Sequence, residues 1–472
     1  MDFIKMFLNG VGVFFIIYLL GYSTFLFLSV IVGANRLFNS EKKQMLKNEL
    51  VHDYYLPISI IVPAYNEEVT IINTIKSLLS LDYKLYEIII VDDGSKDDTS
   101  KILIENLNLH RISRPIKISI PCNREKMIYE SSDFKVPITL ICKENGGKAD
   151  ALNMGINASK YPYFICMDAD SILQADALKK IIAPVLEDEK IIAAGGMIQI
   201  SNDVEFKDAM VSKYRMPKSI LASMQVLEYE RSFLASRILL DTFNGNLIVS
   251  GAFGLFKKSI AIAVGGYDTK TIGEDMELII KLHVFCRTNK IPYKIAYVSE
   301  AICWTQAPEK LGNLVKQRRR WHIGLIQSLK KYRNIFFNIQ YGLVSFVSYL
   351  YFLIYELLSP FIEVFGLFTI ALAIYVDLIN IPFMILFFLI YILFGSFLTI
   401  TSFFTRTYIQ KIKISFRDFL KVILLCGFEN GALRFILSWV RMAAFFHKNK
   451  RMAWDKFERT KIMSNEEEDT NA

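Results

Sequence analysis

Residues Ile58 to Glu68 read "ISIIVPAYNEE", a run of β-branched residues that passes directly into a polar cluster. The apolar part is short and rich in isoleucine and valine, which predicts a buried strand. Three later segments repeat this pattern, with stretches of helical periodicity between them. Apolar strands that alternate with helices are typical of a parallel sheet covered on both faces. The sequence therefore predicts an α/β fold.

Polar clusters follow all four predicted strands. The strands are Ile58 to Val62, Glu87 to Val91, Ile138 to Cys142 and Tyr163 to Met167, and the clusters are "PAYNEE", "DDGSKDDTS", "KENGGKAD" and "DADS". Ligands of such sheets bind beyond the carboxyl ends of the strands, which meet at one edge. One cluster alone, such as "DDGS", is more often a capped turn. Four on one edge predict a pocket.

Asp168 and Asp170 of "DADS" place two carboxylates side by side at a strand end, where they repel each other unless a cation lies between them. Carboxylate oxygens are ligands that Mg²⁺ and Mn²⁺ prefer. The sequence therefore predicts a divalent metal ion between these carboxylates and a nucleotide diphosphate.

The other clusters are expected to hold the nucleotide. Asp92 and Asp93 can accept hydrogen bonds from a base or ribose, and Tyr65 offers an aromatic face. Lys148 follows two glycines, which let the backbone approach a phosphate.

The composition predicts membrane segments, because the 472 residues are 53% hydrophobic and include 36 Phe and 23 Tyr. Met6 to Asn35 contains no charged residue and exceeds the ~20 residues that a membrane-spanning helix needs. No cleavage pattern is evident, so we expect an uncleaved anchor at residues 1–36. Basic residues on its carboxyl-terminal flank place the following domain in the cytoplasm: Arg36, Lys42, Lys43 and Lys47, against Lys5 before it.

The remaining chain divides by charge and hydropathy. Residues 50–333 are rich in charged residues and long enough for one sizeable α/β domain. Residues 216–240 within it predict a helix partly at the cytoplasmic interface, with a helix buried wholly in the domain as the alternative. Residues 335–405 have room for about three membrane-spanning helices, in which Glu356 and Glu363 face a polar cavity or lie in short loops. Residues 415–446 form either an amphipathic helix or a fourth span, and 447–472 a cytoplasmic tail.

A series of motifs resembles the membrane-embedded, processive glycosyltransferases of family 2, which include the cellulose, hyaluronan and poly-N-acetylglucosamine synthases. The motifs are "IIVPAYNEE", "VDDGSKDDT", "NGGKADALN", "DAD", "SGAFGLFKK", "GGYDTKTIGEDMEL" and "QRRRW". The resemblance runs from about residue 55 to 330. It implies a GT-A domain, the nucleotide-diphospho-sugar transferase fold, and a donor that is usually UDP-linked.

The resemblance also implies roles for individual residues. The catalytic set is Asp275 and Glu274, with Asp275 as the base of an inverting hexosyltransferase. Without the resemblance, Asp275 could equally be a helix cap on the surface. Arg318 and Arg319 could anchor the chain at the membrane, and the segment around Gly251 could be a tightly packed core strand. The nucleotide-sugar set is Pro63, Ala64, Tyr65, Glu67, Asp92, Asp93, Lys148 and Asp168; the metal set is Asp168 and Asp170; the acceptor and diphosphate set is Gly251, Ala252, Gln317, Arg320 and Trp321.

These observations support three hypotheses. The first is a multi-pass membrane synthase that polymerises a UDP-sugar, with UDP-N-acetylglucosamine as the favoured donor, and passes the β-linked exopolysaccharide across the bilayer. The second is an enzyme that makes one transfer to a lipid acceptor, and the third a membrane receptor or transporter without catalysis. The expected partners are a UDP-sugar, a growing glycan and the bilayer. The net charge of +8 suits anionic lipid and nucleotide phosphates, and the lack of a separate basic domain argues against nucleic acid. The sequence does not determine whether export or accessory subunits bind this chain.

Overall fold

The computed structural model describes residues 2–48, 55–131, 133–410 and 412–446. The tail predicted for 447–472 lies outside these ranges. The strands are β1 (Ile58–Ala64), β2 (Tyr86–Asp92), β3 (His110–Ile112), β4 (Glu125–Ser131), β5 (Ile138–Lys143), β6 (Tyr163–Cys166), β7 (Ile172–Leu173), β8 (Ile191–Ile200), β9 (Glu205–Lys207), β10 (Met210–Lys213), β11 (Gly254–Lys257) and β12 (Lys294–Thr305).

Ten of these strands form one mixed sheet in the order β3-β4-β5-β2-β1-β6-β11-β8-β12-β7, and β9 and β10 form a separate hairpin. The four predicted strands are the adjacent β5, β2, β1 and β6, and they run parallel. The prediction of an α/β fold with a parallel-rich sheet is therefore confirmed. Antiparallel pairing begins on either side of this core, where β4 joins β5 and β11 joins β6.

The helices are α1 (Asp2–Asn48), α2 (Ile71–Leu79), α3 (Thr99–Asn106), α4 (Lys148–Ala158), α5 (Ala177–Glu187), α6 (Ile220–Arg231), α7 (Arg237–Asp241), α8 (Lys258–Ala263), α9 (Glu274–Thr288), α10 (Leu311–Lys331), α11 (Ser359–Tyr375), α12 (Ile381–Ile409), α13 (Phe416–Phe428) and α14 (Arg434–Phe445). In the described ranges, π-helical turns accompany them at Ser232–Ser236, Val344–Tyr349, Phe352–Leu357 and Glu429–Leu433.

Helices cover both faces of the parallel core, which explains why its strands are apolar throughout. Ile60 of β1 belongs to one core together with Ile75 of α2. Its neighbour Ile61 points to the opposite face and belongs to a second core with Ile156 of α4. All four side chains are fully buried, and burial of each stabilises the fold by about 1.5–3 kcal/mol. Because β1 is buried on both faces, its carboxyl end is the part of the strand that can meet a ligand.

Two helical segments are long and apolar enough to cross a membrane. They are Phe3–Asn39, with a mean hydropathy of 2.2, and Ile381–Tyr408, with a mean hydropathy of 2.5. Val344–Leu357 and Ser359–Tyr375 meet the same criterion only as a pair, which bends by 49°. Counted as one span, the pair brings the number in the described residues to three. Ile381–Tyr408 and the bent pair are thus the candidate spans in this part of the described chain, and about three spans in residues 335–405 stays a prediction.

The segment from α13 to α14 contains no candidate span among the described residues. Phe416, Leu420 and Leu424 lie one helical turn apart on α13 and are exposed, and Lys421 lies between the last two in the sequence. An apolar face beside a charged one is typical of a helix at the membrane interface. Both alternatives for residues 415–446, and the domain boundaries, stay predictions.

Candidate active site

A cavity of about 940 Å³ lies beyond the carboxyl ends of β1, β5 and β6. We call it the central cavity. Most of the predicted site residues line it, and they come from elements far apart in the sequence: Tyr65, Glu67, Lys148, Asp168, Asp170, Gly251, Ala252, Glu274, Asp275, Gln317, Arg320 and Trp321. Pro63, Ala64, Asp92 and Asp93 do not line it.

Lys148 links two acidic groups at the floor of the cavity. Its Nζ lies 2.6 Å from Asp168 Oδ1 and 3.4 Å from Glu274 Oε1. Burial lowers the pKa of the Lys148 ammonium, but the carboxylates of Asp168 and Glu274 raise it more, so the pKa lies above its ordinary value. Burial also raises the pKa of Glu274, and the neighbouring Asp275 raises it further, although Lys148 opposes this shift. Lys148 is therefore a fixed positive charge in the cavity.

Asp275 is held at the start of α9 with a defined orientation. Its Oδ2 accepts a hydrogen bond from the Gly251 N–H at 3.2 Å, and its Oδ1 accepts one from the Met276 N–H at 2.8 Å. The amino terminus of a helix favours a carboxylate at this position. A Cβ added to Gly251 would lie 3.1 Å from Lys148 Nζ and 3.6 Å from Asp275 Oδ2. The lack of a side chain at Gly251 therefore lets the base candidate and the cation approach each other.

Asp93 lies under the floor of the cavity and has its partners inside the protein. Its side chain and that of Lys143 are both fully buried, with Lys143 Nζ 2.5 Å from Asp93 Oδ1. The N–H groups of Gly146 and Gly147 donate to Asp93 at 3.0 and 2.8 Å. The two glycine N–H groups expected near a phosphate are thus bound to this carboxylate. Asp93 holds the loop from which Lys148 projects.

The remaining residues of the predicted nucleotide set differ in exposure. Asp92 is buried, and its carboxylate accepts hydrogen bonds from the hydroxyls of Ser95 and Ser100. Pro63 and Ala64 are buried within β1. Tyr65, one residue beyond the strand, is half-buried and lines the cavity. The residues of the "PAYNEE" cluster that reach the cavity therefore lie after the end of β1.

A substitution at Lys143 tests whether its ion pair with Asp93 holds the Lys148 loop in place. The Lys143 ammonium also lies 2.7 Å from Asp150 Oδ1, so Lys143→Met would leave two buried carboxylates without their cation. We expect the free energy of unfolding of the full chain to fall by about 3–5 kcal/mol, measured by urea denaturation in detergent.

Lys126→Met is the matched control, because Lys126 pairs with Glu144 at 3.1 Å on the surface, with side chains 57% and 71% exposed. Its effect should stay within about 1 kcal/mol. Equal effects of the two substitutions would contradict a buried supporting role for Lys143.

Helix α10 brings the "QRRRW" motif to the cavity. Gln317, Arg320 and Trp321 all line it, and the Trp321 side chain is 42% exposed. Arg318, for which membrane anchoring was an alternative, is instead buried and forms two hydrogen bonds with Glu228, at 2.8 and 2.7 Å. Its guanidinium lies 4.5 Å from the centre of the Trp321 ring. Arg318 therefore packs against the Trp321 ring and helps to fix its position.

The central cavity continues between the apolar helices. Tyr22, Tyr351, Tyr355 and Glu356 line this part. Glu356 and Glu363, for which short loops were an alternative, lie in a π-helical turn and in α11. Glu363 pairs with Arg434 at 2.7 Å. The cavity thus reaches from the carboxylates at the sheet into a polar space within the apolar part of the chain.

A second ion pair lies beside this space and was not predicted. Arg231 at the end of α6 forms two hydrogen bonds with Glu429, at 2.6 and 2.8 Å, and both residues line the cavity. A charge in an otherwise apolar segment is a sequence signal for such a site. The sequence does not show which charge is the partner.

The residues present suit a divalent metal ion that arrives with a diphosphate. Asp168 and Asp170 come from one tight turn after β6 and both line the cavity. The described residues contain no group of three His, Cys, Asp or Glu side chains that could hold a metal alone. Mg²⁺ is commonly bound by one or two carboxylates, with substrate phosphates and water as the other ligands. Two carboxylates are therefore a fitting donor set.

Two family models match this chain. The model of glycosyl transferase family 2 matches residues 59–265, and that of glycosyl transferase family group 2 matches residues 163–410. The second match alone spans more than half of the 472 residues.

Known proteins with similar sequences include two bacterial synthases. The chain is 34% identical over 313 residues to the poly-beta-1,6-N-acetyl-D-glucosamine synthase of Staphylococcus epidermidis, and 34% identical over 311 residues to that of Staphylococcus aureus. Each match covers 65% of this chain and 64% of the relative, which is less than two thirds of the relative's length. A solved mannosyltransferase, PcManGT from Pyrobaculum calidifontis in complex with GDP-Man and Mn²⁺, has a TM-score of 0.48 and 16% identity, with 87% of this chain and 98% of that chain covered.

Proposed function

This chain belongs to glycosyl transferase family group 2, and we propose that it polymerises UDP-N-acetylglucosamine into a β-linked polysaccharide and passes the product across the membrane. One observation carries the proposal. A single cavity joins the acidic groups at the sheet edge to Trp321 and continues between apolar helices. A donor site, an acceptor site and an exit path can therefore be continuous.

Asp275 is the base in this proposal. It takes the proton of the acceptor hydroxyl while the acceptor oxygen forms a bond to the anomeric carbon. The bond from that carbon to the diphosphate oxygen breaks at the same time, and UDP leaves with the electron pair. One displacement of this kind inverts the anomeric centre and produces a β-linkage from an α-linked donor. The Gly251 N–H fixes one carboxylate oxygen for this step.

Cationic side chains of the cavity stabilise the negative charge of the departing diphosphate. Lys148 carries a charge at the cavity floor, and Arg320 lies on the face of α10 that lines the cavity. Asp168 and Asp170 would hold Mg²⁺ or Mn²⁺, which when bound neutralises charge on the diphosphate. Tyr65 and Glu67 bind the nucleoside part, and Asp93 contributes by holding the Lys148 loop.

The acceptor glycan lies against Trp321 and the rings near it. Tyr229 and Trp321 have ring centroids 6.4 Å apart, and sugar rings bind to aromatic faces of this kind. Beyond them, Tyr351, Tyr355 and Glu356 offer hydroxyl and carboxylate groups to sugar hydroxyls along the path between the helices. We place the catalytic domain in the cytoplasm, because the basic flank of α1 follows its apolar part.

N-acetylglucosamine is proposed as the sugar because the two synthases with 34% identity carry that sugar in their names. Each of these matches covers 65% of this chain and 64% of the synthase, so the sugar is proposed from a partial match.

Product analysis tests the proposal. Purified full-length protein is incubated with labelled UDP-N-acetylglucosamine and Mg²⁺ or Mn²⁺, and the products are sized while UDP release is followed. Long glycans support the proposal. A single added sugar on lipid would establish single transfer instead, and no turnover with any nucleotide sugar would overturn the enzymatic function.

Transport is tested with the protein in proteoliposomes that receive the donor from outside. The polymer that they make should be protected from added glycosidase, and digestion of all polymer would contradict transport.

A further inference from the structure

Helix α10 uses one of its faces for two purposes. Its first half presents Gln317, Arg320 and Trp321 to the central cavity. Its second half continues the same stripe with Gly324, Gln327 and Lys331, at spacings of three and four residues. Gly324 and Gln327 also line the cavity. The second group touches the loop and helix that carry Asp275, as the following contacts show.

The first contact is between backbones. A Cβ added to Gly324 would lie 2.8 Å from the Gly273 Cα, and one added to Gly273 would lie 2.9 Å from the Gly324 Cα. Gly273 is the residue immediately before α9, and Asp275 is the second residue of that helix. The amino terminus of α9 therefore rests directly on α10.

The second contact is a side-chain hydrogen bond. Gln327 Oε1 accepts from the Ile272 N–H at 2.9 Å. Ile272 lies three residues before Asp275, in the loop that lines the cavity from Thr269 to Gly273. Gln327 thus fixes the backbone of this loop at a point next to the glycine crossing.

The third contact closes the far side of the loop. Lys331 Nζ lies 2.6 Å from Asp268 Oδ2 and 2.5 Å from Glu277 Oε1. Asp268 begins the loop, and Glu277 lies on the first turn of α9 with a fully buried side chain. The loop is consequently attached to α10 at both of its ends.

We propose that Gln327 is a positioning residue for the transfer reaction. Resting on the function proposed above, the inference is that its bond to the Ile272 N–H sets the distance of Asp275 from Arg320 and Trp321. The base and the group that binds the acceptor and diphosphate then move together with α10. Gln327 does not contact the reacting atoms in this role.

Two substitutions separate the hydrogen bond from the volume of the side chain. Gln327→Met keeps an unbranched chain of similar length but loses the carbonyl acceptor, whereas Gln327→Glu keeps an oxygen that can accept from the Ile272 N–H. We expect kcat of Gln327→Met to fall about tenfold to a hundredfold with the donor KM within twofold of wild type, since misplacement of about 1 Å costs up to a hundredfold in rate. Gln327→Glu should recover most of the rate.

Gln340→Met is the matched control, because Gln340 is exposed in a turn outside the cavity. It should retain the wild-type kcat. A wild-type kcat for Gln327→Met would overturn the inference, as would equal losses for Gln327→Met and Gln327→Glu.

Hydrogen exchange gives a readout that does not depend on the substrate. The peptide that covers residues 268–276 should exchange faster in Gln327→Met than in wild type or Gln327→Glu. Unchanged exchange would overturn the inference even if no donor were turned over. Inactive wild-type protein with the expected exchange pattern would instead count against the proposed function alone.

Discussion

Asp275→Asn is expected to lower the rate of UDP release about a thousandfold, the largest effect of a single substitution in this chain. An amide of the same size can keep the Gly251 N–H within hydrogen-bond distance but cannot accept the proton of the acceptor hydroxyl. Binding of the donor should persist, because Lys148, Asp168 and Tyr65 are unchanged. The measurement is kcat from UDP release, together with UDP affinity by calorimetry on the same preparation.

Asp82→Asn is the surface control for this substitution. Asp82 pairs with Lys179 and its side chain is 68% exposed, so both kcat and UDP affinity should remain those of wild type. A kcat for Asp275→Asn within threefold of wild type would assign proton removal to another group. Glu274 would then be the candidate, since its carboxylate lies 3.4 Å from Lys148 Nζ in the same cavity.

The strands and the edge on which the cavity lies could be predicted because their signals are local. Each of the four core strands is a short apolar run, and the polar residues follow the strand within a few positions. Parallel pairing then brings those positions together whatever the details of the loops. Tyr65, Lys148 and Asp168 line the cavity for this reason.

The partners of individual carboxylates could not be predicted in the same way. Asp92 and Asp93 are adjacent, and the sequence predicts a nucleotide contact for both. Asp93 instead binds Lys143, which is 50 residues away in the sequence. A buried carboxylate needs a cation and N–H donors, and several lysines in the sequence could have provided the charge. Only the packing of β5 beside β2 decides that Lys143 does so.

The polar groups among the apolar helices show the same limit over longer separations. Arg231 and Glu429 are 198 residues apart, and Arg434 and Glu363 are 71 residues apart. Hydropathy shows that Glu363, Glu429 and Arg434 interrupt apolar segments, which is costly unless each charge is paired or hydrated. Arg231 follows two glutamates and gives no such signal. Hydropathy does not show that Arg231, Glu429 and Arg434 line the space that continues from the active site.

Asp170→Asn is expected to lower kcat about a hundredfold or more in the presence of Mg²⁺ or Mn²⁺. The substitution leaves only one of the two carboxylates in the turn after β6. The metal ion is then held less well, and several kcal/mol of the stabilisation that it gives to the diphosphate charge are lost. Chelation with EDTA should bring wild-type protein to a similar rate. It should change Asp170→Asn far less, because both treatments remove the same contribution.

The EDTA comparison separates loss of the metal from general damage to the fold. Asp176→Asn is the control, because Asp176 lies outside the central cavity and pairs with Lys180 at 2.7 Å. It should retain the wild-type rate and its full sensitivity to EDTA. A wild-type enzyme that works equally well in EDTA would refute the metal assignment, and stabilisation of the diphosphate would then rest on Lys148 and Arg320. In that case Lys148→Met, rather than Asp170→Asn, should cause the larger loss, since Lys148 would carry the main positive charge at the cavity floor.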